Sequence, residues 1–177
     1  MSAVFADFDN DGHTDLFVVN AYYTPVKEAF SRSGHILYRN NGNGTFTRVP
    51  FNSGTPGPAS GVAVADYDGD GLLDIYATYY QDEFVHPFHH AIEARDGFGN
   101  RLYRNLAKLK FEEVSEKAGV RGSGWSFAAA WADYDEDGKI DLYVANDFGD
   151  STSTETRATA PSRRWRPRRA CPTPPTA

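Results

Sequence analysis

The sequence predicts an all-β protein assembled from repeated antiparallel units, and three observations carry that reading. A ten-residue acidic segment occurs three times, with spacings of 59 and then 67 residues. Every copy is flanked by short apolar runs rich in β-branched and aromatic residues, the composition of buried strands. No stretch keeps a helical apolar period over about 11 residues. That leaves room for one or two helical turns, near Ser115-Glu116-Lys117-Ala118.

The elements follow in chain order. Each unit opens on a short apolar strand: Val4-Phe5-Ala6, Val62-Ala63-Val64-Ala65 and Phe127-Ala128-Ala129-Ala130-Trp131-Ala132. The acidic segment comes next, and then a second strand: Leu16-Phe17-Val18-Val19, Ile75-Tyr76-Ala77-Thr78-Tyr79-Tyr80 and Leu142-Tyr143-Val144-Ala145. A long variable segment leads to a third strand, Leu37-Tyr38-Arg39-Asn40 in one unit and Leu102-Tyr103-Arg104-Asn105 in the next. The fourth strand is Thr45-Phe46-Thr47-Arg48-Val49 or Lys110-Phe111-Glu112-Glu113-Val114. Asn41-Gly42-Asn43-Gly44 supplies the positive-φ positions of a tight hairpin turn before the first of these.

Four antiparallel strands at this period describe a blade of a β-propeller. The second strand is nearly continuously apolar, as expected where neighbouring blades cover both faces of a sheet. The units are expected at about 3–58, 59–121 and 122–150, or about two and a half blades. Closure of a propeller takes about 4 to 8 blades. The chain is therefore expected to be a fragment, whose partners include the remaining blades of a parent protein and whose open sheet faces favour self-association.

The acidic segment carries the chemistry. Its copies are Asp7-Phe8-Asp9-Asn10-Asp11-Gly12-His13-Thr14-Asp15-Leu16, Asp66-Tyr67-Asp68-Gly69-Asp70-Gly71-Leu72-Leu73-Asp74-Ile75 and Asp133-Tyr134-Asp135-Glu136-Asp137-Gly138-Lys139-Ile140-Asp141-Leu142. Carboxylates stand at positions 1, 3, 5 and 9, with glycine at position 6 for a sharp turn. Four carboxylates this close repel one another unless a cation neutralises them. Calcium takes about 6 to 8 oxygen ligands, and short loops supply them from alternating carboxylates and a backbone carbonyl. The expected ligands are Asp7, Asp9, Asp11, Asp15 and the carbonyl of His13; Asp66, Asp68, Asp70, Asp74 and that of Leu72; and Asp133, Asp135, Asp137, Asp141 and that of Lys139. Magnesium fits less well, since it binds few carboxylates and retains water. An EF-hand is excluded, because its position-12 glutamate is replaced by Val18, Ala77 and Val144 and the flanks are strands. The bland alternative is a set of solvated Asp-Gly turns; three copies in register favour a structural calcium clasp.

Charge is unevenly distributed. Residues 151–177 hold six Arg and one Glu, so the net −6 of the 177-residue chain divides into +5 there and −11 over residues 1–150. An acidic body fits cations and argues against nucleic acid. The proline-rich basic segment 151–177 is expected to be disordered, and a frameshift would account for its abrupt start. Cys171, the single cysteine, allows no disulfide within the chain and leaves the compartment open. No apolar run reaches the roughly 18 residues of a membrane span, and Met1-Ser2-Ala3-Val4 does not begin a signal peptide.

The motif D-x-D-x-D-G-x-x-D-[LI] between short strands, with the L-Y-R-N strand behind it, resembles FG-GAP (VCBS-type) repeats, the calcium-binding blades of integrin-α-like propellers. Residues 65–80, 100–106 and 111–114 look most like the cartilage acidic protein/UnbV (ASPIC) group. The resemblance covers residues 3 to about 149. It implies blades of a 7-bladed-type propeller, calcium in the loops, and a secreted, periplasmic or cell-surface location. The implied work is adhesion or interaction with a protein or glycan ligand, without catalysis.

Two other features compete. The segment 81–100 holds His86, His89, His90, Glu93 and Asp96, a set that could hold zinc in a metal-dependent enzyme. Its spacing matches no hydrolase signature, and a long recognition loop, paired with 21–35 and its Tyr22, Tyr23 and Phe30, explains it as well. Asn43-Gly44-Thr45 is a glycosylation sequon, but it coincides with the hairpin turn. A third reading is a truncated product without function of its own.

Overall fold

The computed structural model describes residues 2–20, 34–54, 57–80, 97–148 and 152–155. The first unit contains β1 (Ser2–Ala6), β2 (Asp15–Val19), β3 (Ile36–Asn40) and β4 (Phe46–Val49). The second contains β5 (Ala59–Ala65), β6 (Asp74–Tyr79), β7 (Arg101–Asn105) and β8 (Phe111–Glu113), followed by the single helical turn α1 (Ser115–Ala118). The third contains β9 (Trp125–Ala132), β10 (Asp141–Phe148) and β11 (Thr152–Glu155).

Each unit is one sheet whose strands lie in sequence order and pair antiparallel: β1-β2-β3-β4, β5-β6-β7-β8, and β9-β10-β11. These are propeller blades, as the repeat period predicts. The helical turn also falls at Ser115–Ala118, stopped by Gly119 in the left-handed conformation at φ 70°. One boundary moves. β11 pairs with Asp141–Val144 and lies within the segment expected to be disordered from 151 onward. Its sequence, Thr152-Ser153-Thr154-Glu155, has β-branched residues but no apolar face to announce a strand.

The middle strands explain how the blades stack. Side chains alternate across a strand, so neighbouring residues serve opposite faces. On β6, Ile75, Ala77 and Tyr79 join Phe8, Phe17, Val19 and Leu37 in a core between the first and second blades. Tyr76, from the other face of β6, packs with Leu102, Val114, Val120, Leu142 and Val144 between the second and third. All six residues of β6 are therefore buried, which is why its sequence does not alternate. The outer blades show the converse. Leu16 and Val18 on β2 are half-buried, and Tyr143 on β10 is 46% exposed, because among the described residues no further sheet covers those faces.

Aromatic rings fill the first junction. Phe51 meets Phe17 at 4.9 Å, Tyr103 at 5.0 Å and Phe111 at 5.3 Å between centroids. The buried His35 ring shares a 2.7 Å hydrogen bond with the Tyr79 hydroxyl. The second junction is bound by polar groups as well. The Tyr76 hydroxyl donates to the Val120 carbonyl at 2.7 Å, and Asn100 Nδ2 donates to Ser126 Oγ at 2.8 Å. Ser126 Oγ in turn donates to Asn146 Oδ1 at 2.8 Å.

Candidate metal centre

Each acidic loop closes the hairpin between the first two strands of its blade, and its carboxylates fold it. The position-1 aspartate gathers the N–H groups of the turn. Asp7 accepts from Asp11 N at 3.1 Å and Gly12 N at 2.9 Å. Asp66 accepts from Gly69, Asp70 and Gly71 at 2.8 to 3.1 Å, and Asp133 from Asp137 and Gly138 at 3.1 and 2.9 Å. The position-5 aspartates Asp11, Asp70 and Asp137 accept from the N–H two residues on, at 2.9, 3.0 and 2.9 Å. The glycine at position 6 is required by conformation: Gly12, Gly71 and Gly138 have φ of 85°, 86° and 83° with open space where a Cβ would stand.

The position-9 aspartate is the buried member. Asp15 accepts from Phe8 N at 3.2 Å and, across the sheet, from Asn40 N at 2.8 Å. Asp74 repeats this with Tyr67 N at 3.0 Å and Asn105 N at 2.7 Å. Asp141 accepts from Tyr134 N at 3.1 Å. Burial pushes the carboxyls of Asp15 and Asp141 up, and that of Asp74 up to about 7, against the opposing pull of the backbone N–H groups. The expectation that only a cation relieves the carboxylate repulsion is thus too simple: backbone donors hold positions 1, 5 and 9.

Arginine holds the rest. Arg39 Nε donates to Asp9 Oδ2 at 2.8 Å and Nη2 to Asp11 Oδ2 at 2.6 Å. Arg104 places Nε 2.6 Å from Asp68 Oδ2 as an ion pair, and Nη2 donates to Asp70 Oδ2 at 3.2 Å. The guanidinium bridges positions 3 and 5 in both blades. In the third loop the recorded ion pair is that of Lys139 Nζ with Asp137 Oδ2, at 3.8 Å. In the sequence these arginines, with Asn40 and Asn105 beside them, stand only as strand residues. The signal was present: a cation followed by an amide recurs at the same place behind two acidic loops.

The loops bring many of the expected ligands together. Carboxylate oxygens lie within 4.8 Å of one another for Asp7, Asp9 and Asp15, for Asp66, Asp68 and Asp70, and for Asp133, Asp135 and Asp141. Asp11, Asp74 and Asp137 fall outside these sets. At position 7, His13, Leu72 and Lys139 contribute the N–H groups that anchor position 5. Asp9 Oδ1 and Asp68 Oδ1 are buried without a hydrogen-bond partner, on side chains only 12% and 11% exposed. Such atoms are costly unless something positive meets them. The all-oxygen donor set matches a hard divalent cation.

Other candidate features stand apart. His86, His89, His90, Glu93 and Asp96, with Tyr22, Tyr23 and Phe30, lie outside the described residues. Asn43 serves the turn, its Oδ1 accepting from Thr45 N at 3.1 Å and from Thr45 Oγ1 at 2.6 Å. No helix among the described residues is long and apolar enough to cross a membrane.

Comparison with known proteins agrees with this geometry. Residues 7–77 and 92–144 match the model of the FG-GAP-like repeat. Cartilage acidic protein 1 of Homo sapiens is 26% identical over 121 residues, which cover 67% of this chain and 18% of that protein. The protein of the same name from Xenopus tropicalis is 29% identical over 122 residues, with the same coverage. The chain thus spans under a fifth of the length of these relatives.

Proposed function

The chain belongs to the FG-GAP-like repeat family, and on that premise we propose that it is a calcium-stabilised, non-catalytic interaction module that works outside the cell. Calcium sits in the three acidic loops and acts structurally, tying the first hairpin of each blade. The observation that carries this reading is the pair of orphaned, buried oxygens, Asp9 Oδ1 and Asp68 Oδ1, each beside neighbouring carboxylates in a loop already folded by its backbone. Bound calcium would supply the positive charge that those oxygens lack. The buried Asp74 carboxyl, pushed up by desolvation, would be relieved by the same ion.

The blades then present their connecting loops to a protein or glycan ligand, as rigid scaffolds commonly do. The extracellular setting and the absence of catalysis rest on membership of a repeat family and on likeness to a cartilage protein.

Calcium titration of the full chain by calorimetry, with melting curves in calcium, magnesium and a chelator, tests the metal. Saturable calcium binding that raises the melting temperature by several degrees is expected; about 2.7 kcal/mol per site accrues at a hundredfold excess over Kd. No heat of binding and identical melting curves would sink the calcium reading.

A further inference from the structure

We propose that Arg39 and Arg104 are built-in counter-cations that keep the first two acidic loops folded when they hold no metal, and that they thereby weaken calcium binding there. The inference rests on the calcium reading above and adds the control of that site.

Two observations lead to it. Both guanidinium groups use the same oxygens, Oδ2 of positions 3 and 5, in two blades that diverge at most other positions. The position-3 Oδ1 is left free and buried in both loops. The arginine therefore leaves that oxygen unoccupied in both loops. Its positive charge offsets part of the carboxylate repulsion in the empty loop. When a divalent ion arrives, the same charge opposes it. The two cations are partial substitutes, so each stabilises the loop most when the other is missing.

A plain surface salt bridge is the competing account. Arg39 and Arg104 are 43% and 38% exposed, and exposed pairs contribute little. An inert surface pair would leave calcium affinity unchanged. A purely orienting arginine would make affinity fall once it is removed. A counter-cation makes affinity rise.

Calcium calorimetry on the full chain and on its Arg39→Gln and Arg104→Gln variants separates these accounts, with melting curves in a chelator as the second readout. Each variant is expected to melt lower than the parent in chelator and to bind calcium about tenfold more tightly at the altered loop. Arg104→Lys keeps the charge and loses the fork, so its affinity is expected to stay within about twofold of the parent; this variant serves if the glutamine forms do not fold. Unchanged or weaker calcium affinity in the glutamine variants, with the parent still binding, overturns the counter-cation alone. A tenfold change in Arg104→Lys overturns charge as the cause. Absence of calcium binding in parent and variants together overturns both this inference and the calcium reading.

Discussion

The two junctions between blades are built from equivalent strands of one repeat, yet they are joined differently. Between the first and second blades the contact is chiefly aromatic: Phe8, Phe17 and Leu37 meet Ile75, Tyr79 and Tyr103, with Phe51 bridging, while the Tyr103 hydroxyl donates to the Ser53 carbonyl at 3.0 Å and Asn105 Nδ2 to the Phe8 carbonyl at 2.8 Å. Between the second and third, a smaller apolar set shares the interface with a strap of directional bonds. Asn100, Ser126 and Asn146 form one chain of donors and acceptors, and Ser60 Oγ donates to the Ser126 carbonyl at 2.7 Å. Buried apolar area is the larger part of the first junction and is less sensitive to small slips than directional bonds are. The polar strap adds little net energy but punishes misalignment, because each buried donor must find its partner. One repeat thus supplies both adhesion and register, in different proportions at each junction.

Core truncation is the strongest way to break this contrast. Phe17→Ala is expected to cost about 3 to 5 kcal/mol, and Val144→Ala at the second junction about 2 kcal/mol. Urea denaturation of the two variants measures the difference; equal losses would mean that the junctions are energetically alike.

Acid acts on the first junction through His35. Burial, with a smaller contribution from Arg101, holds its ring down to about 4 from the ordinary 6.5. The folded protein keeps the ring neutral where the unfolded chain already binds a proton. The stabilisation is complete above about pH 6.5 and is lost as the pH falls towards 4, a change of about 3 kcal/mol. The buried Asp74 carboxyl, up at about 7, acts in the opposite sense over this range. The difference between parent and His35→Phe denaturation midpoints from pH 7 to pH 4 should therefore show the His35 contribution, with the variant gaining relative to the parent as the pH falls. A variant profile parallel to that of the parent would remove His35 from the account.

The smallest effect concerns the turn that delivers Leu109 into the first junction. Ala107, Lys108 and Leu109 have φ of 66°, 53° and 57°, conformations that favour glycine. The matching turn of the first blade uses Gly42 and Gly44 at 72° and 81°. Lys108→Gly is expected to stabilise by about 0.5 to 1 kcal/mol through relief of that strain. Thermal melting reads it, and a loss of stability would show that the lysine side chain matters more than its backbone.

Much of the fold was legible in sequence because it repeats. The strand order, the hairpin at Asn41-Gly42 and the helical turn at Ser115 each rest on local chemistry that one segment displays by itself. The continuous burial of β6 was legible too, from its lack of alternation. The acidic loops announced their carboxylates, but not which would turn inward. That depends on backbone donors from Phe8, Tyr67 and Asn105, which no side-chain pattern reveals. Arg39 and Arg104 were hidden for a similar reason: they sit on the third strand, about 30 residues beyond the carboxylates they meet, and only the pairing of the second and third strands unites them. The strap through Asn100 and Ser126 is assembled from single polar residues in two blades and has no sequence pattern at all.

The alternation on the middle strands also gives every blade a front and a back. Leu16, Ile75 and Leu142 look one way along the stack, while Phe17, Tyr76 and Tyr143 look the other. A blade therefore joins its neighbours through two unlike faces, and the array has a direction, as a row of tiles with tongue and groove does. A substitution on one face of β6 reaches only one of its two neighbours. Among the described residues the exposed ring of Tyr143 is an unmatched tongue, opposite in sense to the face that β2 presents through Leu16 and Val18.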